Sequence, residues 1–372
     1  MLLKNGQIFY NEKFTRGNLF IENGKITDID FTDKYYNVSG TDCSGMYIFP
    51  TLVDIHTHGC VGCDFSFANA DEIADMRSYY LKNGIGTILP TTVSLNDKDI
   101  AHAVKTIQDS ADEAFGLSDV VGINIEGPYL SPVKCGAHDI SLLKEPDYVF
   151  IYSLGDFIKI VNVAPEYEKA FDFIKNFKGK TSVAHTDCDY ETAIKAVNNG
   201  ADHITHIFNA MNGLNHRNPG VIGAFFDSDA YAEIICDSIH IHNAVLRMMF
   251  SAKPDKLIII SDSMSATGLA NGKYKLGQLD VTVQDGKAFL ADGTLAGSVM
   301  NIYDMMKNLI SIGVEKEKAV ASATLIPAES IGIDNICGKI ETGRNADLII
   351  ADNKFNIQTI VHKGKVLTSN TN

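Results

Sequence analysis

No run in this chain approaches the ~20 consecutive apolar residues that a membrane-spanning helix needs, so a membrane span is excluded. Positive charge is also scarce. Lys and Arg number 32 against 46 Asp and Glu, a formal net charge of -14. That balance argues against a general nucleic-acid surface or attachment to anionic lipid, and leaves room for a few local cations around an anionic substrate. Residues 1–10 carry one Lys, an Asn-Gly pair and no long apolar core, so they do not read as a signal peptide. The seven cysteines (Cys43, Cys60, Cys63, Cys135, Cys188, Cys236, Cys337) show no pairing pattern, which points to reduced thiols and a cytoplasmic location. Cys60-Val61-Gly62-Cys63 has no second Cys-x-x-Cys to complete a zinc knuckle, and reads as two small thiols. No Gly-x-Gly-x-x-Gly turn follows an early strand, so dinucleotide binding has little support. There is no repeat of fixed period and no low-complexity stretch.

What is present is an ordinary globular composition, 45% hydrophobic over 372 residues, enough for one large unit and a small one. Residues 1–49 read as β structure, short apolar runs broken by Asn5-Gly6 and Asn23-Gly24, the dipeptide most typical of hairpin turns. From residue 51 strands and helices alternate. Strands are expected at 51–56, 85–93, 119–125, 158–163, 181–184, 202–206, 231–236 and 257–261. Helices are expected at 71–83, 166–177, 191–199, 243–252, 298–310 and 315–322. Eight strands alternating with helices predict an α/β fold, a (β/α)8 TIM-like barrel, with a doubly wound open sheet as the rival. A β-hairpin flap near 271–293 interrupts the pattern. The expected division is a small β-sandwich from 1–49 plus 344–372, built from both chain termini, beside a barrel over 50–343.

The polar residues that stand out lie at strand C-termini, where the catalytic groups of such barrels converge. Strand one ends in His56-Thr57-His58, and side-chain alternation puts both imidazoles on one face. Strand three ends at Glu126, strand five at His185 and strand six at His206. Strand seven leads to Asp237 and His240, and strand eight ends at Asp262. A lone His-x-His would be unremarkable. Four histidines and two carboxylates from five strands at one rim point to a metal site, because buried ionisable groups need partners or metals. Glu126 can bridge two cations, His185 and His206 suit nitrogen ligation, and Asp262 can ligate weakly or act as general base. Arg217 alone would read as a surface arginine before a Pro-Gly turn, and His240 alone as a structural histidine. His102, His203, His216 and His242 have no matched role.

Several motifs occur together and in order: Glu126-Gly127-Pro128-Tyr129-Leu130-Ser131-Pro132 with Gly136-Ala137-His138; Ala184-His185-Thr186; Thr205-His206-Ile207-Phe208-Asn209-Ala210-Met211; Arg217-Asn218-Pro219-Gly220; Asp237-Ser238-Ile239-His240; Ser261-Asp262-Ser263-Met264; Thr294-Leu295-Ala296-Gly297-Ser298. On these the chain resembles the N-acetylglucosamine-6-phosphate deacetylases, a branch of the amidohydrolase superfamily, over nearly its whole length. The resemblance implies hydrolysis of the acetamide of N-acetylglucosamine 6-phosphate, in amino-sugar catabolism and cell-wall sugar recycling. It implies a main metal on Glu126, His185 and His206, with a second on His56 and His58 bridged by Glu126. One or two divalent ions are implied, zinc first, with iron or manganese as alternatives. Asp262 would be the general base and acid, and His138 would polarise the carbonyl or bind the sugar. Asn209, the Ala210 backbone, Arg217 and His240 would hold the phosphate, with Ala137 and Leu295 also against the substrate. In this family the arginine reaches the neighbouring subunit's site, which implies a homodimer. Some members carry Gln-x-Asn on strand one and bind one metal; this chain keeps His-Thr-His. The rival readings are another superfamily hydrolase, such as an N-acyl-amino-acid deacylase, a dihydroorotase or a deaminase, and a metal-binding protein without catalysis.

Overall fold

The computed structural model describes residues 1–32, 34–35 and 37–367. Residues 368–372, assigned above to the small unit, lie outside the described residues. Eight parallel strands form the barrel: Leu52–Thr57, Ile85–Thr92, Ile123–Ile125, Ile158–Val163, Lys180–Val183, His203–Ile204, Tyr231–Ile234 and Leu257–Ile259. They are called barrel strands one to eight here. Each pairs with the next in chain order. The ring closes after strand eight, where Thr57 bridges Ser263 in parallel. Asp262 N–H donates to His56 O at 3.0 Å and His58 N–H to Ser263 O at 2.8 Å. Closure of this kind leaves no sheet edge and brings every strand's C-terminus to one rim.

The strands are short and almost wholly buried, as parallel strands covered on both faces should be. The helices between them carry legible caps. Asn69 accepts from Asp71 N and Glu72 N, and Glu72 accepts from Asn69 N at 2.8 Å, a capping box that starts Ala70–Lys82. Asp189 caps Tyr190–Asn198 by accepting from Thr192 N, and Asn301 caps Ile302–Ser311 by accepting from Asp304 N. The expectation named no helix between strands two and three, yet one runs over Asp97–Asp109. Asn96 caps it and Ile100, Ala103, Val104 and Ile107 form its buried face, a spacing of 3, 4 and 7 residues. A further short helix, Gly220–Phe226, follows the Arg217-Asn218-Pro219 turn.

Both chain ends build one curled sheet. Its strand order is Lys365–Leu367, Ile357–His362, Leu348–Ala351, Tyr47–Pro50, Leu2–Tyr10, Lys13–Glu22, Lys25–Asp30, with Thr41–Asp42 beside Leu2–Tyr10. The sheet has two faces with different partners. Ile48, Leu348 and Ile350 face a separate small core, whereas Phe49, Ile349 and Ala351 join the barrel's core. Alternation along the strand makes this possible. Ile26 and Val361 come from opposite ends of the strand order and meet in the small core, so the sheet folds over on itself as a sandwich does. We propose the division into a barrel over 50–343 and a unit of 1–49 plus 344–372; the two separate cores support it. Asn23-Gly24 is the expected hairpin turn, with both residues at positive φ. Asn5-Gly6 is not a turn. It sits inside Leu2–Tyr10 at a register shift, where a Cβ on Gly6 would come within 2.4 Å of Ile48 Cδ1. The first hairpin turns instead at Asn11-Glu12.

The expected flap is a three-stranded antiparallel sheet of Gly272–Leu276, Leu279–Gln284 and Lys287–Phe289. Its first turn is pinned over the barrel's rim by Gly277 N–H, which donates to Asp64 Oδ2 at 2.9 Å.

The junction of sheet and barrel yields a pH prediction. Asp347 accepts from the backbone N–H of Lys363 at 2.6 Å, close to Asp119 and Glu113. Burial, with those like charges, pushes its carboxyl up to about 6. A raised carboxyl favours the folded state when protonated, so this contribution is lost as pH rises from about 4 through about 6. Asn at this position keeps the acceptor and drops the charge. Asp347→Asn should therefore raise the melting temperature at pH 8, by an amount equivalent to about 1–2 kcal/mol after allowance for partial exposure. Calorimetry should show the gap closing as the pH falls through 6 toward 4.

Candidate active site

Every residue of the expected metal set leaves a barrel strand at the same rim. His56 is the penultimate residue of strand one and His58 follows the strand. Glu126 directly follows Ile125 of strand three. His185, His206 and Asp262 stand two or three residues beyond strands five, six and eight, and all three have positive φ (41°, 26° and 46°). Non-glycine residues rarely adopt that conformation, and the corners it makes turn these side chains back over the barrel mouth.

Glu126 is the centre of the cluster. Its Oε1 lies 3.2 Å from His185 Nε2 and 3.0 Å from His206 Nε2. Its Oε2 lies 3.0 Å from His58 Nε2, 3.4 Å from His138 Nε2 and 3.5 Å from His56 Nε2. Asp262 Oδ1 completes the His56 and His58 side, at 3.6 and 3.2 Å. One carboxylate oxygen thus faces each group of imidazoles. Three of these histidines are held from behind through Nδ1, whereas His206 Nδ1 is buried with no hydrogen-bond partner. His58 donates to Thr91 O at 3.2 Å and His185 to Lys134 O at 2.8 Å. His56 donates to Glu233 Oε2 at 2.8 Å.

These anchors test whether a cation fits. A neutral imidazole that donates through Nδ1 presents a lone pair at Nε2. His185 Nε2 then faces a carboxylate oxygen and a second ring nitrogen, His206 Nε2 at 3.0 Å. Acceptors crowded at such distances repel unless protons or a metal ion lie between them. His56 Nε2 is buried with no hydrogen-bond partner of its own. The donor set, imidazole nitrogen and carboxylate oxygen, is the one zinc and similar ions take. Among the described residues, two groups can surround an ion, His56, His58, Glu126 and Asp262, and Glu126, His138 and His185. They share Glu126, and the site fits a divalent metal.

The charges agree with this. Burial would push Glu126 up, but His56 and the hydrogen-bonded His138, His185 and His206 hold it well below the usual carboxylate range. Burial likewise opposes the ionised form of Asp262, but the His58 hydrogen bond and the charges of His56 and His58 hold it at about 2. Burial drives His185 down to about 4 despite Glu126, so its ring is neutral. His58 is raised to about 9, since Asp262 and Glu126 outweigh its burial.

Above the cluster lies a cavity of about 270 Å³. Its walls include His138, Ala137, Asn209, Ala210, His240 and Leu295, together with the flap residue Leu276. Backbone N–H of Ser94 donates to His138 Nδ1 at 3.2 Å, so in the neutral ring the proton sits on Nε2. The ring is then a donor toward the cluster and not a ligand, and His206 Nε2, 3.0 Å from Glu126 Oε1, is the nitrogen left beside His185. His240 is oriented by Asp237, with Nδ1 to Oδ2 at 2.7 Å. Arg217 is not brought in: it is exposed on a separate surface hollow with Asp187 and Tyr190. Cys60 and Cys63 face each other across a short hairpin, and burial pushes both thiols up, Cys60 the more deeply buried. They belong to neither metal-binding group. His203 lies against Tyr231 with the rings tilted by 31° and pairs with Asp202, away from the site.

The sequence reading missed three residues that hold the site in place: Ser94 behind His138, Asp54 and Glu233. Asp54 accepts from the backbone N–H groups of His56 and Ser261, at 3.2 and 3.3 Å, and so ties strand one to strand eight. Burial raises it to about 7. The available signal was a carboxylate in the middle of an apolar barrel strand, Val53-Asp54-Ile55 and Ala232-Glu233-Ile234.

Comparison with known proteins agrees with this geometry. The amidohydrolase family pattern matches residues 47–367. The chain is 32% identical over 371 residues to the N-acetylglucosamine-6-phosphate deacetylase of Bacillus subtilis (strain 168), covering 96% of this chain and 94% of that protein. It is 30% identical over 338 residues to the N-acetylgalactosamine-6-phosphate deacetylase of Escherichia coli O157:H7, covering 88% and 90%. The crystal structure of N-acetylglucosamine-6-phosphate deacetylase from Pasteurella multocida superposes with a TM-score of 0.91 at 28% identity, over 99% of each chain. A closed parallel barrel with a carboxylate between histidines at its rim, relatives of this kind over the full length, and a family match across most of the chain place the protein in the amidohydrolase family, beside its amino-sugar-phosphate deacetylases.

Proposed function

We propose that this protein is a metal-dependent deacetylase that hydrolyses the acetamide of N-acetylglucosamine 6-phosphate to glucosamine 6-phosphate and acetate. The observation that carries the reading is Glu126 set between histidine groups, with Asp262 beside it and a cavity of sugar size above. Relatives named for this reaction share about 30% identity over most of the chain. Glu126, His185 and His206, or Glu126, His56 and His58, would hold a divalent ion, which would supply Lewis acidity toward the carbonyl and lower the pKa of water.

The chain's own residues do the rest. His138 donates from Nε2 to the acetamide oxygen as charge builds on it, a preorganised donor of the oxyanion type. Asp262, ionised and only 13% exposed, takes the proton of the attacking water and passes it to the amine as the C–N bond breaks. Asn209, the Ala210 backbone and His240 line the far wall and bind the phosphate, which fixes the acetamide over the cluster. Arg217 serves the neighbouring subunit's site in a homodimer, where guanidinium binds phosphate oxygens bidentately. Its exposure, outside its own cavity, supports that reading. The site takes one or two divalent ions, zinc first, with iron or manganese as alternatives. Among the described residues no helix is long and apolar enough to cross a membrane, and with seven free cysteines we place the enzyme in the cytoplasm.

Four outcomes are expected. Acetate release should be faster from N-acetylglucosamine 6-phosphate than from its galactosamine isomer, and absent from N-acyl-amino acids; the reverse order would reassign the enzyme. Asp262→Asn, loaded with metal, should lose about two to four orders of magnitude in kcat; near-normal turnover would remove Asp262 from the acid–base role. Replacing His56 and His58 together should lower the metal content per subunit and leave a slower one-ion enzyme, as read by elemental analysis beside the acetate assay. Mixing inactive Asp262→Asn with Arg217→Ala subunits should restore activity in the hybrids, which a self-contained site would not allow.

A further inference from the structure

Glu233 lies in barrel strand seven, one strand removed from strand one across strand eight, and its side chain is fully buried. Its Oε2 accepts from His56 Nδ1 at 2.8 Å, and its Oε1 has no hydrogen-bond partner. His56 is equally buried, and its Nε2 also lacks a hydrogen-bond partner. That nitrogen points at the shared centre, 3.5 Å from Glu126 Oε2 and 3.6 Å from Asp262 Oδ1. The other Nδ1-anchored ligands, His58 and His185, rest on neutral backbone carbonyls. His56 alone among them rests on a carboxylate. A buried carboxylate with a single partner is costly, so its position in an apolar strand calls for a role.

We propose that Glu233 is the positioning residue of the second metal site: by accepting from Nδ1 it fixes the tautomer and ring orientation of His56, so that Nε2 is the atom presented to the ion. The inference rests on the two-ion reading and deepens it. A carboxylate behind a ligating histidine also makes the ring a stronger donor, and loss of such a partner typically weakens metal affinity by 10–100-fold. The backbone of the same residue holds a second corner of the site, because Glu233 O accepts from Ile207 N–H, next to His206, at 2.8 Å. Side-chain replacement leaves that contact in place, so the main site of Glu126, His185 and His206 keeps its ion.

The test compares metal binding by wild type, Glu233→Leu and Glu233→Gln, by titration calorimetry and elemental analysis, with the melting temperature of each metal-free form. Wild type should take up two ions per subunit. Glu233→Leu should keep the first at wild-type affinity and bind the second about 10–100-fold more weakly. Glu233→Gln retains an acceptor oxygen for Nδ1 and should recover most of that loss. Two ions bound by Glu233→Leu with wild-type affinity would overturn the proposal alone, as would a Gln variant as defective as Leu. A wild type that takes up no second ion would sink the two-ion reading as well. If Glu233→Leu does not fold, nitrogen-15 spectra of zinc-loaded wild type decide. With His56 assigned from a His56→Gln sample, a proton on Nδ1 supports the proposal and a proton on Nε2 refutes it.

Discussion

Glu126 is buried among five histidines, with one oxygen toward His185 and His206 and the other toward His56, His58 and His138. A carboxylate so far from water is tolerable only with positive charge close at hand. Most of the rim exists to hold that charge in place. The imidazoles of His56, His58, His138 and His185 are fixed from behind, and with His206 their Nε2 atoms converge on the carboxylate. Protons can satisfy this arrangement, as the raised His56 and His58 show, but a divalent ion satisfies it with fewer buried groups left opposed. Metal binding and folding of the rim are in this sense one problem.

The barrel solves that problem by geometry. Parallel strands in a closed ring deliver residues far apart in the chain to one mouth, and positive-φ corners at His185, His206 and Asp262 turn the chain so that their side chains stay over it. Inside the ring, polar residues tie strand to strand: Asn124 to Ile55 O, Asn162 to Asn124, Thr205 to Asn162. Asp54 and Glu233 belong to the same layer and bear directly on strand one. The curled sheet packs one face on the barrel through Phe49, Ile349 and Ala351, while the flap brings Leu276 over the cavity. The rim and its support layer thus share the barrel strands, while the cover comes from the flap that follows strand eight.

Much of this was legible in the residues. All eight barrel strands fall at the expected places, because buried parallel strands write themselves as short apolar runs between helical stretches. The helix Asn243–Ala252 matches its expected range, and the flap lies where Asn271-Gly272 and Asp285-Gly286 announce it. The helix Asp97–Asp109 carries as clear a signal, an Asn cap and a 3-4-7 apolar spacing, although the expected helices do not include it. Asn5-Gly6 failed for a physical reason. Its local preference is a hairpin turn, but pairing of Leu2–Tyr10 with Tyr47–Pro50 presses Ile48 against Gly6 and makes the glycine a bulge.

By itself the sequence determined the barrel, the rim positions and the residue types gathered there. Strand periodicity depends on nearest neighbours in the chain, and so does the shared face of His56 and His58. Tertiary structure decided the rest. That Glu126 divides its oxygens between two histidine groups follows from closure of the ring. So does Glu233 standing behind His56, since strands one and seven are separated by 177 positions and no local pattern links them. Arg217 marks the same boundary from the other side: its chemistry could be read from its type, but its place outside its own cavity only from the fold.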